Sequence, residues 1–327
     1  MGSTSLKGQS KLLSLIEWGR LKHRALAHLE CWNLESLEAI VGTSKDLGLP
    51  VITGPGLSFA DPQWVDSGGL RTFLAACRDA ADRSSVRVLL VLNEAKRLED
   101  VRVGLEGGAD LVTMTTDNLP FEENIERTRE VVRMARDYGA AVEGELGTPE
   151  MGQPEYRTGN EDATGTLTDP EQARVFTSAT GVDLLAVSVG NVHGNLGGRA
   201  AVNLPLVERL AEATQVPLVL HGGSGIAPES IPALIAAGIM KINVGAALRS
   251  RFWTALQKAA RRRGARGSYI WLGRMSPPDP LAEARLALEQ EVRRQLQLIS
   301  ASQTVTEIGT DVSPSPSEND TRGAKGD

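Results

Sequence analysis

The sequence predicts an α/β architecture of eight strand–helix repeats closed into a barrel, and three observations carry that expectation. Short apolar runs alternate with amphipathic stretches from about residue 24 to 262. The runs number eight, and they read as buried parallel strands rather than as half-exposed alternating ones. No dinucleotide-type glycine fingerprint follows the first run, which disfavours the rival doubly wound open sheet. Eight such units suit a TIM (β/α)8 barrel.

The elements follow in order. "SKLLSLIEWGRLK" precedes the repeats and predicts a helix capping the barrel's bottom. "RALAHLEC" is the first strand, followed by the helical "NLESLEAIVGTSKDLG". "PVITG", "VRVLLVLN" and "ADLVTMT" are the next three strands, and "FEENIERTREVVRMARDYG" is helical, ending on Gly as helix C-termini prefer. After the fifth strand, "AAVEGEL", residues 147–168 form a polar loop. Loops of that length without structure of their own are usually functional lids or disordered. "TDPEQARVF" opens a helix with a Thr or Asp N-cap and a Pro at the first turn. "DLLAVSV", "VPLVLHG", the helical "APESIPALIAAG" and "MKINVG" complete the eight repeats. "PLAEARLALEQEVRRQLQLIS" is an amphipathic C-terminal helical extension suited to packing on the barrel or on another subunit. Residues 1–300 are expected to form one domain, with a disordered tail at 301–327 rich in Ser, Thr, Pro and charge.

Bulk properties narrow the function. A net charge of −6 gives no reason to expect a nucleic-acid partner. Two cysteines cannot build a disulfide framework, which points to a reducing compartment. No apolar run approaches a membrane span, and the N-terminus lacks a signal-peptide pattern. "MGSTSL" starts like a myristoylation site but has Leu6 where Ser or Thr is required. The cytoplasm, without membrane partners, is the expectation.

In a barrel of this kind, reactive groups stand at the C-terminal ends of the strands. Those ends carry Glu30, Asn93, Glu94, Thr115 to Asp117, Glu143, Glu145, His193, His221 and Asn243. A single His at such a position is more often a structural hydrogen-bonding residue. Two of them, sharing a rim with Glu94, Glu143 and Glu145, make a credible site for Zn²⁺ or another divalent ion. "HGGSG" follows the seventh strand, where barrel enzymes commonly hold phosphate. Gly222, Gly223 and Ser224 would donate backbone N–H groups there, with Gly194 contributing from the loop after the sixth strand.

"TGVDLLAVSVGNVHGN", "LPLVERLAEATQVPLVLHGGSGIAPESIPALIAAGIMKINVGAALR", "NLPFEENIERTREVVRMARDYGAAVEGELG" and "LTDPEQARVF" resemble class II ketose-bisphosphate aldolases of the fructose- and tagatose-bisphosphate type. The resemblance runs from about residue 10 to 260. It implies a divalent metal, usually zinc, that polarises the carbonyl of dihydroxyacetone phosphate and stabilises an enediolate. Two of the family's zinc ligands match His193 and His221, and a Glu able to approach the metal matches Glu145. Gly222 and Ser224 match the phosphate loop, and Asn243 matches an Asn that contacts substrate. Small phosphorylated substrates and a homodimer or homotetramer are implied as well.

The chain also departs from the family's pattern. Where the third strand normally ends in a motif like "HLDHG", it has "VLNEA". Asn93 replaces the acid/base Asp and can position a hydroxyl but not exchange a proton near neutral pH. Glu94 replaces the third His ligand, and carboxylates bind zinc at about the same distance as imidazole. Glu30 replaces a substrate-facing Asn, Thr115 and Asp117 replace an Asp and a Ser, and Gly245 and Ala246 weaken one phosphate grip. Arg199 is left as the cation near that end, and the lid's Glu155 aligns with the family's loop carboxylate. Three readings follow: a metal-dependent lyase with altered substrate use, drawing on Glu94, Glu30 or Glu155 for proton transfer; a conventional fructose- or tagatose-bisphosphate aldolase; or an inactive binding or regulatory relative.

Overall fold

A computed structural model describes residues 8–151, 165–194, 200–263 and 268–300. Eight parallel strands close into a barrel: β1 (Leu26–Glu30), β2 (Val51–Gly54), β3 (Val88–Ala95), β4 (Leu111–Met114), β5 (Ala141–Leu146), β6 (Leu184–Val187), β7 (Leu218–Leu220) and β8 (Ile239–Val244). Each pairs with its sequence neighbours, and β8 closes on β1 through Leu26 opposite Lys241 and His28 opposite Asn243. All eight strands lie within the sequence-predicted runs except at two ends. β3 extends two residues beyond the expected stop, through Glu94 to Ala95, and β8 begins one residue early, at Ile239.

Alternation along the strands sorts side chains into two layers. Leu29, Leu90, Leu92, Val112, Val142, Leu185 and Ile242 face outward, against the surrounding helices. Leu26, Ile52, Leu89, Val91, Leu111, Leu184 and Val219 face inward and form a separate apolar floor. The first helix, α1 (Gly8–Lys22), seals that floor from below with Leu12, Leu15 and Ile16, as expected of a capping helix. Each fully buried side chain of this size contributes about 1.5–3 kcal/mol.

The helix α2 (Leu34–Leu47) starts on an Asn33–Ser36 capping box and ends on Gly48 in the left-handed region. The helix after the polar loop, Pro170–Thr180, is capped by Asp169, whose side chain accepts from the Gln172 N–H. The C-terminal helix Pro280–Ser300 packs against Leu34–Leu47 and against Ala246–Arg263, the helix that follows β8. Leu288, Val292, Leu296 and Ile299 are buried there. The helix is therefore part of the barrel's wall.

The polar stretch 147–168, expected to be a loop without structure of its own, differs at its described base. Glu150–Met151 forms a two-residue parallel ribbon with Val192–His193, and Thr148 bridges Thr166. The ladder bonds fix the start of the loop onto the segment that carries His193. The lid's Glu155 lies outside the described residues, as does Arg199.

Two irregularities set the top of the barrel. The β3–β4 register shifts between Leu92 and Ala95, with Glu94 in the left-handed region at φ 55°. The β8–β7 register shifts between Ile239 and Lys241. Bulges of this kind re-aim side chains. The first lets Asn93 and Glu94 both line the same cavity. The second leaves Met240 in the apolar floor while Lys241 turns inward beside it.

Candidate active site

A cavity of about 290 Å³ opens at the C-terminal ends of the strands. It gathers almost every residue expected from the strand ends: Glu30, Asn93, Glu94, Thr115, Asp117, Glu145, His193, Gly194, His221, Gly222, Ser224 and Asn243. Three expected residues stand elsewhere, the first being Thr116, which is buried and does not line the cavity. Gly223 turns onto β8 instead, where a Cβ would meet Ile242 at 2.5 Å and the Asn243 carbonyl oxygen at 2.8 Å. Its glycine is required for close packing and does not line the cavity. Glu143 lies just beneath the cavity floor, fully buried.

Glu143 joins two neighbours. One oxygen is 2.8 Å from His221 Nε2, and the other is 2.7 Å from Lys241 Nζ. Burial alone would raise its pKa, but Lys241 and His221 outweigh that and hold the carboxyl down at about 2. An ionised Glu143 accepts the Nε2–H of His221 and so leaves Nδ1 as the lone-pair nitrogen. That nitrogen faces Glu145 at 3.7 Å. A carboxylate holding the far nitrogen of an imidazole is the arrangement that orients a metal-binding His.

His193 stacks on His221, with ring centroids 5.6 Å apart and planes 16° from parallel. Burial, and then the neighbouring His221, lower its pKa to about 4, so its ring is neutral near pH 7 and able to donate a lone pair. Glu145 moves the other way, its pKa raised by burial and by Asp117, Glu94 and Glu143. Asp117 is raised as well, chiefly by burial. Glu94 accepts a hydrogen bond from Ser58 Oγ.

This donor set fits a divalent ion in kind: two imidazoles, one of them oriented by a carboxylate, beside crowded acids whose mutual repulsion a cation relieves. The positions are not those of a formed coordination shell. Among the described residues, no three His, Cys, Asp or Glu groups are placed to hold one ion. The two rings stack instead of converging, and Glu94 is turned to Ser58.

The remaining wall has two further parts. Ser224 Oγ accepts from the Ala247 N–H at 3.0 Å, tying the turn after β7 to the N-terminus of the helix after β8. Gly222, Ala246 and that helix end face the cavity together, which suits an anion. Glu30 is bonded to Arg249, whose guanidinium lies 4.8 Å from the Trp32 ring centroid. Glu30, one of the candidates for proton transfer, stands in this ion pair, and burial raises its pKa.

Sequence reasoning missed His28, Lys241 and Arg249. His28 is buried and shares its strand face with Glu30, two residues on, so strict alternation along "LAHLE" could have found it. Lys241 is a charge in an apolar strand, two residues before Asn243, and its Nζ donates to Asn243 Oδ1 at 2.6 Å. Arg249 lies inside a helix and carried no such signal.

Comparison with known proteins agrees with this geometry. The family model described as class II fructose-bisphosphate aldolase matches residues 10–304. Among solved structures, the YdjI aldolase from Escherichia coli K12 is 26% identical with a TM-score of 0.72, covering 91% of this chain and 98% of its own. A candidate fructose-1,6-biphosphate aldolase from Coccidioides immitis is 25% identical with a TM-score of 0.76, covering 89% of this chain and 96% of its own. The fructose-bisphosphate aldolase of Campylobacter jejuni shares the fold at 16% identity and a TM-score of 0.71, covering 91% and 96%. With a parallel barrel, paired histidines and a glycine turn at one mouth, and a family match over most of its length, the chain belongs to the class II fructose-bisphosphate aldolase family.

Proposed function

We propose that the protein is a divalent-metal-dependent lyase of the aldolase type, making or cleaving a carbon–carbon bond of a phosphorylated keto sugar. The observation that carries this reading is His221, bonded through Nε2 to ionised Glu143 and presenting Nδ1 to the cavity beside His193. His193, His221, Glu94 and Glu145 are the residues that would hold the ion, zinc by the chemistry of the donors. When bound, it acts as a Lewis acid on a substrate carbonyl. Gly194, Gly222, Ser224 and the helix end at Ala246 receive the phosphate. Asn93 Oδ1 is buried without a partner, and Asn243 Nδ2 likewise, so both wait for polar groups of a substrate. Proton transfer falls to a carboxylate other than Arg249-bound Glu30, with Glu155 the loop acid in the alignment.

Two buried free thiols suit a reducing, cytoplasmic setting, and no helix among the described residues is long and apolar enough to cross a membrane. A homodimer or homotetramer belongs to the same reading. The test is solvent-proton exchange into dihydroxyacetone phosphate, followed by NMR in deuterated buffer with added zinc. Exchange that needs both zinc and His221 is expected; exchange indifferent to either overturns the proposal. A second reading, an inactive relative that binds a sugar phosphate, draws support from Asn93, which cannot carry a proton where the family has an Asp. Binding of such a ligand without any exchange would establish it.

A further inference from the structure

The loop after β2 is folded down onto the end of β3. The Asn93 N–H donates to the Pro55 carbonyl at 3.0 Å, and the Leu57 N–H donates to the Asn93 carbonyl at 3.0 Å. Gly56 and Asn93 form a parallel bridge there. Leu57 is buried in the larger apolar core, and Lys96 Nζ donates to the Ser58 carbonyl at 2.9 Å. Bonds to backbone carbonyls and one buried apolar side chain therefore already fasten this loop. The Ser58 hydroxyl takes no part in that fastening. It donates to Glu94 Oε2 instead. Ser58 and Glu94 are both half-buried on the cavity wall.

Glu94 needs such a partner. Its backbone is left-handed at φ 55° inside the β3–β4 register shift, so its side chain leaves the strand where the regular ladder is interrupted. A Glu side chain loses much rotamer freedom when it is fixed in one place, and a metal-binding carboxylate is commonly held by a hydrogen bond of its own. A carboxylate accepts at both oxygens, so a bond at Oε2 is compatible with an ion at Oε1. Resting on the lyase reading above, in which Glu94 is a metal ligand, we propose that Ser58 is its positioning residue: the hydroxyl holds the Glu94 carboxylate on the cavity wall ready for a divalent ion, as Glu143 orients His221. The imidazole and the carboxylate then each have a partner behind them, supplied by different strands and loops of the barrel.

The experiment titrates zinc into the full chain against a competing chelator, with proton exchange into dihydroxyacetone phosphate measured in parallel. Ser58→Ala should weaken zinc binding about tenfold, the lower end of the usual loss on removing a metal ligand's hydrogen-bond partner. Ser58→Thr keeps the hydroxyl and should restore the affinity. In a Glu94→Ala background the Ser58→Ala change should have no further effect, a coupling that loop fastening alone does not produce. Unaltered or tighter zinc binding by folded Ser58→Ala overturns the inference, as does a loss that persists without Glu94. Zinc-dependent exchange by the wild-type chain leaves the lyase reading standing in those cases. Wild-type protein that binds no zinc and supports no exchange overturns the lyase reading, and this inference with it. If Ser58→Ala does not fold, Ser58→Cys, a far weaker donor of similar size, carries the same expectation.

Discussion

Lys241 and Glu143 meet across the inside of the barrel, from β8 and β5, as an ion pair at 2.7 Å with both side chains fully buried. Burial of two charges is costly, and removing one partner strands the other. Lys241→Met should therefore destabilise the protein by about 3–5 kcal/mol. Urea unfolding followed by circular dichroism measures this, and a loss below about 1 kcal/mol would contradict the pairing.

Glu143→Gln addresses the other contact. Glutamine matches glutamate in size but no longer draws the His221 proton to Nε2. Zinc affinity should fall by about 10–100-fold, the usual effect of losing a carboxylate behind a metal-binding His. Titration against a competing chelator reads the change. Unaltered affinity in the folded variant would show that His221 needs no such orientation.

His28 links stability to pH. It is fully buried, and burial together with Lys241 depresses its pKa well below the ordinary value. Glu143 and the Asn243 side chain oppose that shift, while His221 adds to it. The unfolded chain takes up the proton below about pH 6.5 and the native chain does not, so stability falls with pH in that range. Part of the native stability present at pH 7.5 is therefore lost by pH 5.5. His28→Leu should flatten this part of the stability–pH curve, as comparison of urea midpoints would reveal.

Glu94 holds a left-handed backbone at φ 55°, a conformation an L-residue with a long side chain rarely adopts. Glu94→Gly should raise stability by about 0.5–1 kcal/mol while abolishing turnover, because strain kept at a functional site is relieved with the function. Thermal unfolding beside the proton-exchange assay tests both halves. A destabilised glycine variant would argue that the bond to Ser58 outweighs the strain.

Leu12→Ala probes the floor. Leu12 is wholly buried between α1 and the inward strand residues. A loss of about 2–5 kcal/mol is expected, and differential urea unfolding provides the number.

Much of this was legible in the chain because apolar runs are what a closed parallel barrel demands of its strands. Leu26, Leu89 and Leu184 were recognisable as core before their layer was known, and His193 and His221 as site residues from their place at strand ends. The layer itself was not legible. Two register shifts bring Glu94 to the cavity with Asn93 and Lys241 inward beside Met240, and strict alternation places only one residue of each couple there. Pairings such as Glu30 with Arg249, 219 residues apart, depend on the closed tertiary structure. Local pattern contains no term for them.

The last helix reaches back to the beginning of the barrel. The Ala25 N–H donates to the Ile299 carbonyl, and Ser300 Oγ donates to the Ala25 carbonyl across 275 residues. On a ribosome, the entry to β1 emerges early and waits for these partners until residue 300 has been made. The entry to β1 is then completed only late in synthesis, after the strands themselves have been made.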